Sequence, residues 1–129
     1  MKTINVVAAI IVSDERKIFA TQRGYGDYKG WWEFPGGKIE EGESKEEALK
    51  REISEELACS IKVESFFGAV EFDYPKFHLK MDCFLCSLDG KEPTLLEHMS
   101  AKWLSKEELS EVKWLEADLS IIEKLKNTL

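Results

Sequence analysis

Apolar residues run unbroken from Val6 to Val12, and most of them are β-branched. That pattern predicts a strand covered on both faces, near the centre of a sheet. The polar turn SDERK follows, and Lys17 to Gln22 predicts the second strand of a hairpin. Arg23 to Gly30 is a loop rich in glycine and aromatic residues. Trp31 to Phe34 predicts a short strand, ended by a Pro35-Gly36-Gly37 corner shaped for close approach. Ser44 and Glu47 form a Ser-x-x-Glu capping box, which opens a helix running to about Leu57. Ile61 to Tyr74 and Phe77 to Leu88 predict two strands joined at Tyr74-Pro75-Lys76. Phe77, Leu79, Met81, Cys83 and Leu85 alternate with mostly polar neighbours, as in a half-buried strand. After the turn Asp89-Gly90-Lys91, a loop carries Glu97, and Ala101 to Leu104 predicts a short strand. A second capping box, Ser105 with Glu108, starts a brief helix. Asp118 to Lys126 predicts a closing amphipathic helix with Leu119, Ile122 and Leu125 inward. No repeat, linker or low-complexity segment interrupts the chain. Strands and helices mix without regular alternation, which predicts one α+β domain over residues 1–129. Its sheet is expected to be mixed, largely antiparallel and sandwiched between helices.

The helix after Ser44 is unusual in where its charges fall. On a helical projection Leu49, Ile53 and Leu57 make a core stripe, and Glu56, Glu52 and Glu55 make a second stripe beside it at i, i+3 and i+4. Like charges at that spacing destabilise an isolated helix. Glu56 borders the apolar stripe, so water does not reach it easily. Ala48 is the small residue among them. One reading is a solvated acidic face, the usual fate of a charge run. The other is a site for a hard divalent cation, Mg²⁺ or Mn²⁺, with oxygen ligands on one face.

Composition narrows the partners. The 129 residues are 43% hydrophobic and 33% charged, with a net charge of −7. A duplex nucleic-acid binder would show a basic footprint instead. An anionic small-molecule nucleotide remains compatible, provided a metal lies between the charges. No apolar run approaches the roughly 20 residues of a membrane span. The opening MKTINVVAAIIVSDE is too short and too β-branched for a secretory signal. Cys59, Cys83 and Cys86 are an odd number without repeated spacing, which predicts reduced thiols and a cytoplasmic protein. Cys83 and Cys86 resemble half of a zinc site, but on a strand they point to opposite faces. His78 and His98 read as isolated; His98, beside Glu97, reads either as a residue approaching the site or, the more usual case, as an exposed loop histidine.

The stretch Gly37 to Cys59, GKIEEGESKEEALKREISEELAC, resembles the Nudix box. Gly37, Glu43, Arg51, Glu52, Ile53, Glu55 and Glu56 stand in register with that family's pattern. Ala58 replaces its final glycine, and Cys59 takes its last apolar position. Glycine there usually adopts the left-handed conformation, and alanine costs about 1 kcal/mol more. The lead-in Glu33-Phe34-Pro35-Gly36 and the Gln22-Arg23 strand end are similar to the MutT-type branch.

The resemblance implies a set of roles. Glu52, Glu55 and Glu56 would bind metal, with the Gly36 carbonyl and a further carboxylate, Glu97. Glu52 would also orient or deprotonate the attacking water. Glu43 and Arg51 would pair and stiffen the loop-helix. Arg23 and Lys38 would contact phosphate, and Glu33, Phe34, Pro35, Gly36 and Gly37 would border the substrate. Asp118 would meet the base edge, although it also suits an N-cap. As an ionised carboxylate it would only accept hydrogen bonds, favouring cytosine or guanine edges and repelling O4 of uracil or thymine. Phe34 is the foremost stacking surface among Tyr25, Tyr28, Trp31 and Trp32, and Ile4, Val6 and Ala8 would line the pocket. The implied activity is Mg²⁺-dependent hydrolysis of a nucleoside triphosphate to the monophosphate and pyrophosphate, by a monomer or homodimer. Cytidine nucleotides, modified nucleotides and 8-oxo-dGTP are the substrates in view. An ADP-sugar hydrolase and a non-catalytic nucleotide binder are the rival readings.

Overall fold

The apolar run becomes β1 (Lys2–Ile11), the strand on which both cores are built. The computed structural model describes residues 1–128. After β1 come β2 (Ile18–Gln22), β3 (Trp32–Glu33), β4 (Gly36–Lys38), α1 (Lys45–Leu57), β5 (Ile61–Tyr74), β6 (Phe77–Leu88) and β7 (Ser100–Leu104). Two short 3-10 helices, Lys106–Glu111 and Glu116–Asp118, lead into α2 (Leu119–Thr128). Four strands form one sheet in the order β4-β1-β6-β5, with β1 parallel to β6 and the other pairs antiparallel. β3, β2 and β7 form a second, antiparallel sheet.

Strand alternation divides the interior. Val7, Ala9 and Ile11 pack with Ala48, Leu49, Ile53 and Leu57 of α1. Ala8 and Ile10 pack on the other face with Met81, Cys83, Ile121, Ile122 and Leu125. The helices therefore cover opposite faces, as the mixed α+β reading expects. Burying Leu49, Ile53 and Leu57 contributes about 1.5–3 kcal/mol each. Cys83 and Cys86 fall into different cores, three residues apart on one strand. Among the described residues no helix is long and apolar enough to cross a membrane.

Four local expectations change. The hairpin after β1 closes only at its turn, where Val12 bridges Ile18 and the Ser13 amide donates to the Lys17 carbonyl at 2.9 Å. β2 then leaves for the second sheet. The Pro35-Gly36-Gly37 corner is itself the start of β4, and the close approach is strand against strand. A Cβ on Gly36 would lie 2.0 Å from the Val7 carbonyl oxygen. Leu119 is 49% exposed, because the inward stripe of α2 is Ile121, Ile122 and Leu125, and Leu119 lies off it. Ala58 takes the left-handed conformation (φ 50°, ψ 39°), so α1 exits as a glycine would let it.

Candidate active site

The capping box at Ser44 and Glu47 fixes where α1 begins, and so where its carboxylates emerge. Arg51 gathers them. Its Nε and Nη2 donate to Glu43 at 2.6 and 2.9 Å, Nη1 donates to Glu52 at 2.9 Å and to Glu55 at 3.4 Å, and Nη2 also reaches the Lys38 carbonyl at 3.0 Å. The guanidinium is thus a cation supplied by the chain, and it offsets the repulsion of the i, i+3, i+4 stripe. Its bond to Glu43 holds that carboxyl below its ordinary range, helped by the Glu40 amide. Gly37 leaves the room Glu52 occupies, since a Cβ there would stand 2.4 Å from the Glu52 carboxylate.

Glu56 meets this network only through Glu52, with which it shares a hydrogen bond. It is 8% exposed, and burial, with Glu52 next in effect, pushes its carboxyl up to about 9. Its other close polar contact is His98, whose Nε2 lies 3.5 Å from Oε1. His98 is not an exposed loop histidine. Its side chain is 9% exposed, burial lowers its basicity, and its Nδ1 is buried without a hydrogen-bond partner. A buried polar atom left unpaired costs about 1–3 kcal/mol. His78 is not isolated either: Asp73 holds its Nδ1 at 2.5 Å and Glu71 its Nε2 at 2.8 Å.

One cleft is lined by Arg23, Gly24, Tyr25, Glu33, Gly36, Glu56, Glu97 and His98. It brings together Glu56, the Gly36 backbone and Glu97, with Glu52 close by. Glu55 is exposed and leans on Arg51. Lys38 is exposed and lines neither this cleft nor the one beside it. The oxygen donors suit a hard divalent cation, and a buried carboxyl without a counter-charge is a fitting first ligand. Among the described residues no three acidic, histidine or cysteine side chains already converge at ligating distance.

A second cleft adjoins the first and is apolar. Val6, Ala8, Phe34, Leu79, Met81, Leu115 and Ala117 wall it, with Tyr28 and Tyr74 at one side and Asp118 within. Arg23, Glu33 and Gly36 line both clefts. Arg23 donates to Glu33 through Nε at 2.9 Å and Nη2 at 3.1 Å, which leaves its remaining N–H donors for a ligand. Phe34 packs on Trp114 with centroids 4.9 Å apart. Pro35 is fully buried beneath the corner, Trp32 is core, and Tyr25 is 69% exposed. Ile4 shares the strand face of Val6 but does not line the cleft.

Asp118 is not the N-cap of α2. The 3-10 turn Glu116–Asp118 runs straight into the helix, and Asp118 lies on its inward face, 3% exposed. Burial first, then the Glu33 charge, pushes its carboxyl well above 3.8, toward the neutral acid. A protonated carboxyl donates as well as accepts, so burial moves this group away from the acceptor-only form. The Tyr74 hydroxyl accepts from the Ala117 amide at 3.1 Å and fixes the segment that carries Asp118. Sequence reasoning missed Tyr74, Leu79, Met81 and Leu115 as lining residues. The alternation in β6 marked Leu79 and Met81 as one face, but only the parallel register Val6↔Met81 sets them beside Val6 and Ala8.

A mixed sheet between helices, with a glutamate-bearing loop-helix opening beside an apolar pocket, defines a class of hydrolase folds. The chain belongs to the NUDIX domain family, whose model matches residues 2–125. Nudix hydrolases act on phosphoanhydride bonds and generally use divalent metal ions. The chain is 32% identical over 127 residues to an 8-oxo-dGTP diphosphatase of Escherichia coli, covering 98% of each chain. It is 31% identical over 135 residues to a CTP pyrophosphohydrolase of Escherichia coli, covering 95% of this chain and 91% of that one. The solution structure of the E. coli ORF135 protein superposes with a TM-score of 0.85 at 33% identity, over 98% of this chain and 91% of that one. The protein is a MutT-type Nudix hydrolase.

Proposed function

We propose that the chain, acting as one domain in the cytoplasm, hydrolyses a nucleoside triphosphate to the monophosphate and pyrophosphate with Mg²⁺. The observation that carries this reading is the adjacency of the two clefts, one acidic and one apolar, with Arg23 and Glu33 on the wall between them. Glu52, Glu55, Glu56, Glu97 and the Gly36 carbonyl would hold the cation, and Mn²⁺ would serve in its place. When bound, the cation neutralises phosphate oxygens and makes an attacking water more acidic. Glu52 would take the proton from the attacking water, a role typically worth about 10²–10⁴ in rate. Arg23, braced by Glu33, gives its free N–H donors to the phosphates. Glu43 fixes Arg51, which steadies the glutamates between turnovers.

The base enters the apolar pocket against Phe34, and Asp118 meets its edge. The first reading of the substrate is CTP, dCTP or a modified cytidine nucleotide: a neutral Asp118 donates to N3 of cytosine and accepts from its amino group. The similarity to an 8-oxo-dGTP diphosphatase over nearly the whole chain supports the second reading, clearance of an oxidised guanine nucleotide. A panel of nucleoside triphosphates with 8-oxo-dGTP and 5-methyl-dCTP tests both, scored for pyrophosphate against phosphate release. Pyrophosphate release, fastest with one of these two groups, is expected. Release of phosphate alone, or no turnover of any triphosphate in Mg²⁺, overturns the reading.

A further inference from the structure

The segment that carries Glu97 and His98 is tied down on both sides. The Thr94 amide donates to the Leu57 carbonyl at 2.7 Å and the Leu96 amide to the Glu56 carbonyl at 3.1 Å. These are carbonyls that the end of α1 would otherwise leave to water. The Met99 amide donates to the Gln22 carbonyl at 3.1 Å. Gly24 lets the strap lie close, for a Cβ there would be 3.1 Å from the Glu97 carbonyl oxygen. Held this way, the strap delivers the His98 ring to Glu56, with Nε2 3.5 Å from Oε1. The Glu56 carboxyl also shares a hydrogen bond with the Glu52 side chain. The charged neighbours that act on it are Glu52, Glu33 and Glu97, all carboxylates.

The orphaned Nδ1 is a separate observation. A ring kept for the stability of the fold would have both nitrogens satisfied or in water. Here one nitrogen is buried without a partner and the other faces a carboxylate of the acidic cleft.

We propose that His98 is a positioning residue for the divalent-cation site: its Nε2 side holds the Glu56 carboxyl toward the cleft before the cation arrives. The inference rests on the metal-binding part of the function proposed above. A single ring N–H occupies one carboxylate oxygen and leaves the other for the ion. Arg51 bonds Glu52 and Glu55, Glu52 bonds Glu56, and His98 approaches Glu56 from the strap, so Glu56 is met by both. Partners of this kind typically change metal affinity by about 10–100-fold when removed.

The test is a titration of Mn²⁺ into the purified chain without nucleotide, with free Mn²⁺ read by electron paramagnetic resonance. His98→Leu keeps the bulk and removes the donor. His98→Gln keeps an amide N–H near the Nε2 position, and His98→Asn places its amide near Nδ1 instead. Thermal melts show which variants fold. Affinity is expected to fall about 10-fold or more in His98→Leu and His98→Asn, and to be largely restored in His98→Gln. The Mg²⁺ concentration for half-maximal turnover should rise in the same two variants. Unchanged Mn²⁺ affinity in His98→Leu overturns the proposal, and so does equal weakening in His98→Gln and His98→Asn. If His98→Leu does not fold, the Gln and Asn pair decides alone. The titration contains no nucleotide, so the two readings fail separately. A wild type that binds Mn²⁺ through His98 but cleaves no triphosphate overturns the reaction and supports this inference.

Discussion

The two clefts share Arg23, Glu33 and Gly36 and are otherwise built on opposite principles. The acidic cleft gathers like charges and compensates them incompletely: Arg51 reaches Glu43, Glu52 and Glu55, and Glu56 is left buried and uncharged. The apolar pocket is packed aromatic and aliphatic surface with one buried acid, Asp118. A site with unsettled charge is arranged for a cation and a reaction. A site with one polar group on an apolar wall is arranged for selection. Changes in the first should lower turnover of every nucleotide alike. Changes in the second should alter the ratio between nucleotides.

The largest effect should come from Glu52→Gln. The amide keeps the shape beside Gly37 and cannot take a proton. Turnover is expected to fall by about 10²–10⁴ for every triphosphate, with a melting temperature close to that of the wild type. Turnover near wild type would sink the role of Glu52. A loss confined to one base would break the division between the clefts.

A smaller effect tests whether Glu56 is buried and uncompensated. Burial raises its carboxyl from 4.5 to about 9 in the folded chain. Within that window the folded state keeps a proton that the unfolded state has released. Stability of the cation-free protein therefore falls as pH rises through the window. Asp118 contributes with the same sign. Melting in the presence of a chelator should drop more between pH 6 and pH 9 for the wild type than for Glu56→Gln, which carries no titrating group there. Equal drops would show that Glu56 already has a counter-charge.

The same contrast explains what the sequence made legible. The glutamate loop-helix of the acidic cleft is local, although Arg23, Glu33, Glu97 and His98 reach the cleft from elsewhere in the chain. Its capping box, its glycines and the i, i+3, i+4 spacing lie within Gly36 to Leu57, where residue order sets geometry directly. The apolar pocket is assembled across the chain. Val6 meets Met81 through a parallel pairing, and Tyr74 steadies Ala117 from 43 residues away. Nothing in the order of residues announces a parallel register. Asp118 and His98 each carried two readings, base contact or N-cap and site residue or exposed loop, and sequence neighbours do not choose between them. Burial by distant segments hides both side chains, raising the acid's pKa and lowering the imidazole's.

The smallest effect is the sharpest test of the selecting cleft. If Asp118 works as the neutral acid, asparagine is its close copy: one donor and one acceptor in the same plane. Asp118→Asn should then leave the order of relative kcat/KM across CTP, dCTP, UTP and 8-oxo-dGTP unchanged. Asp118→Leu removes the pairing but keeps the pocket filled. A bidentate contact to a base edge is worth about 1–3 kcal/mol of discrimination, so ratios between bases should collapse by roughly 5–150-fold. Turnover of the poorest substrate should hardly move, because the acidic cleft is untouched. If Asp118→Asn instead reverses the order of the bases, the working form is the carboxylate. Some group brought by the nucleotide must then supply the charge that burial denies it. If neither variant alters any ratio, Asp118 closes the pocket floor and takes no part in choosing the base.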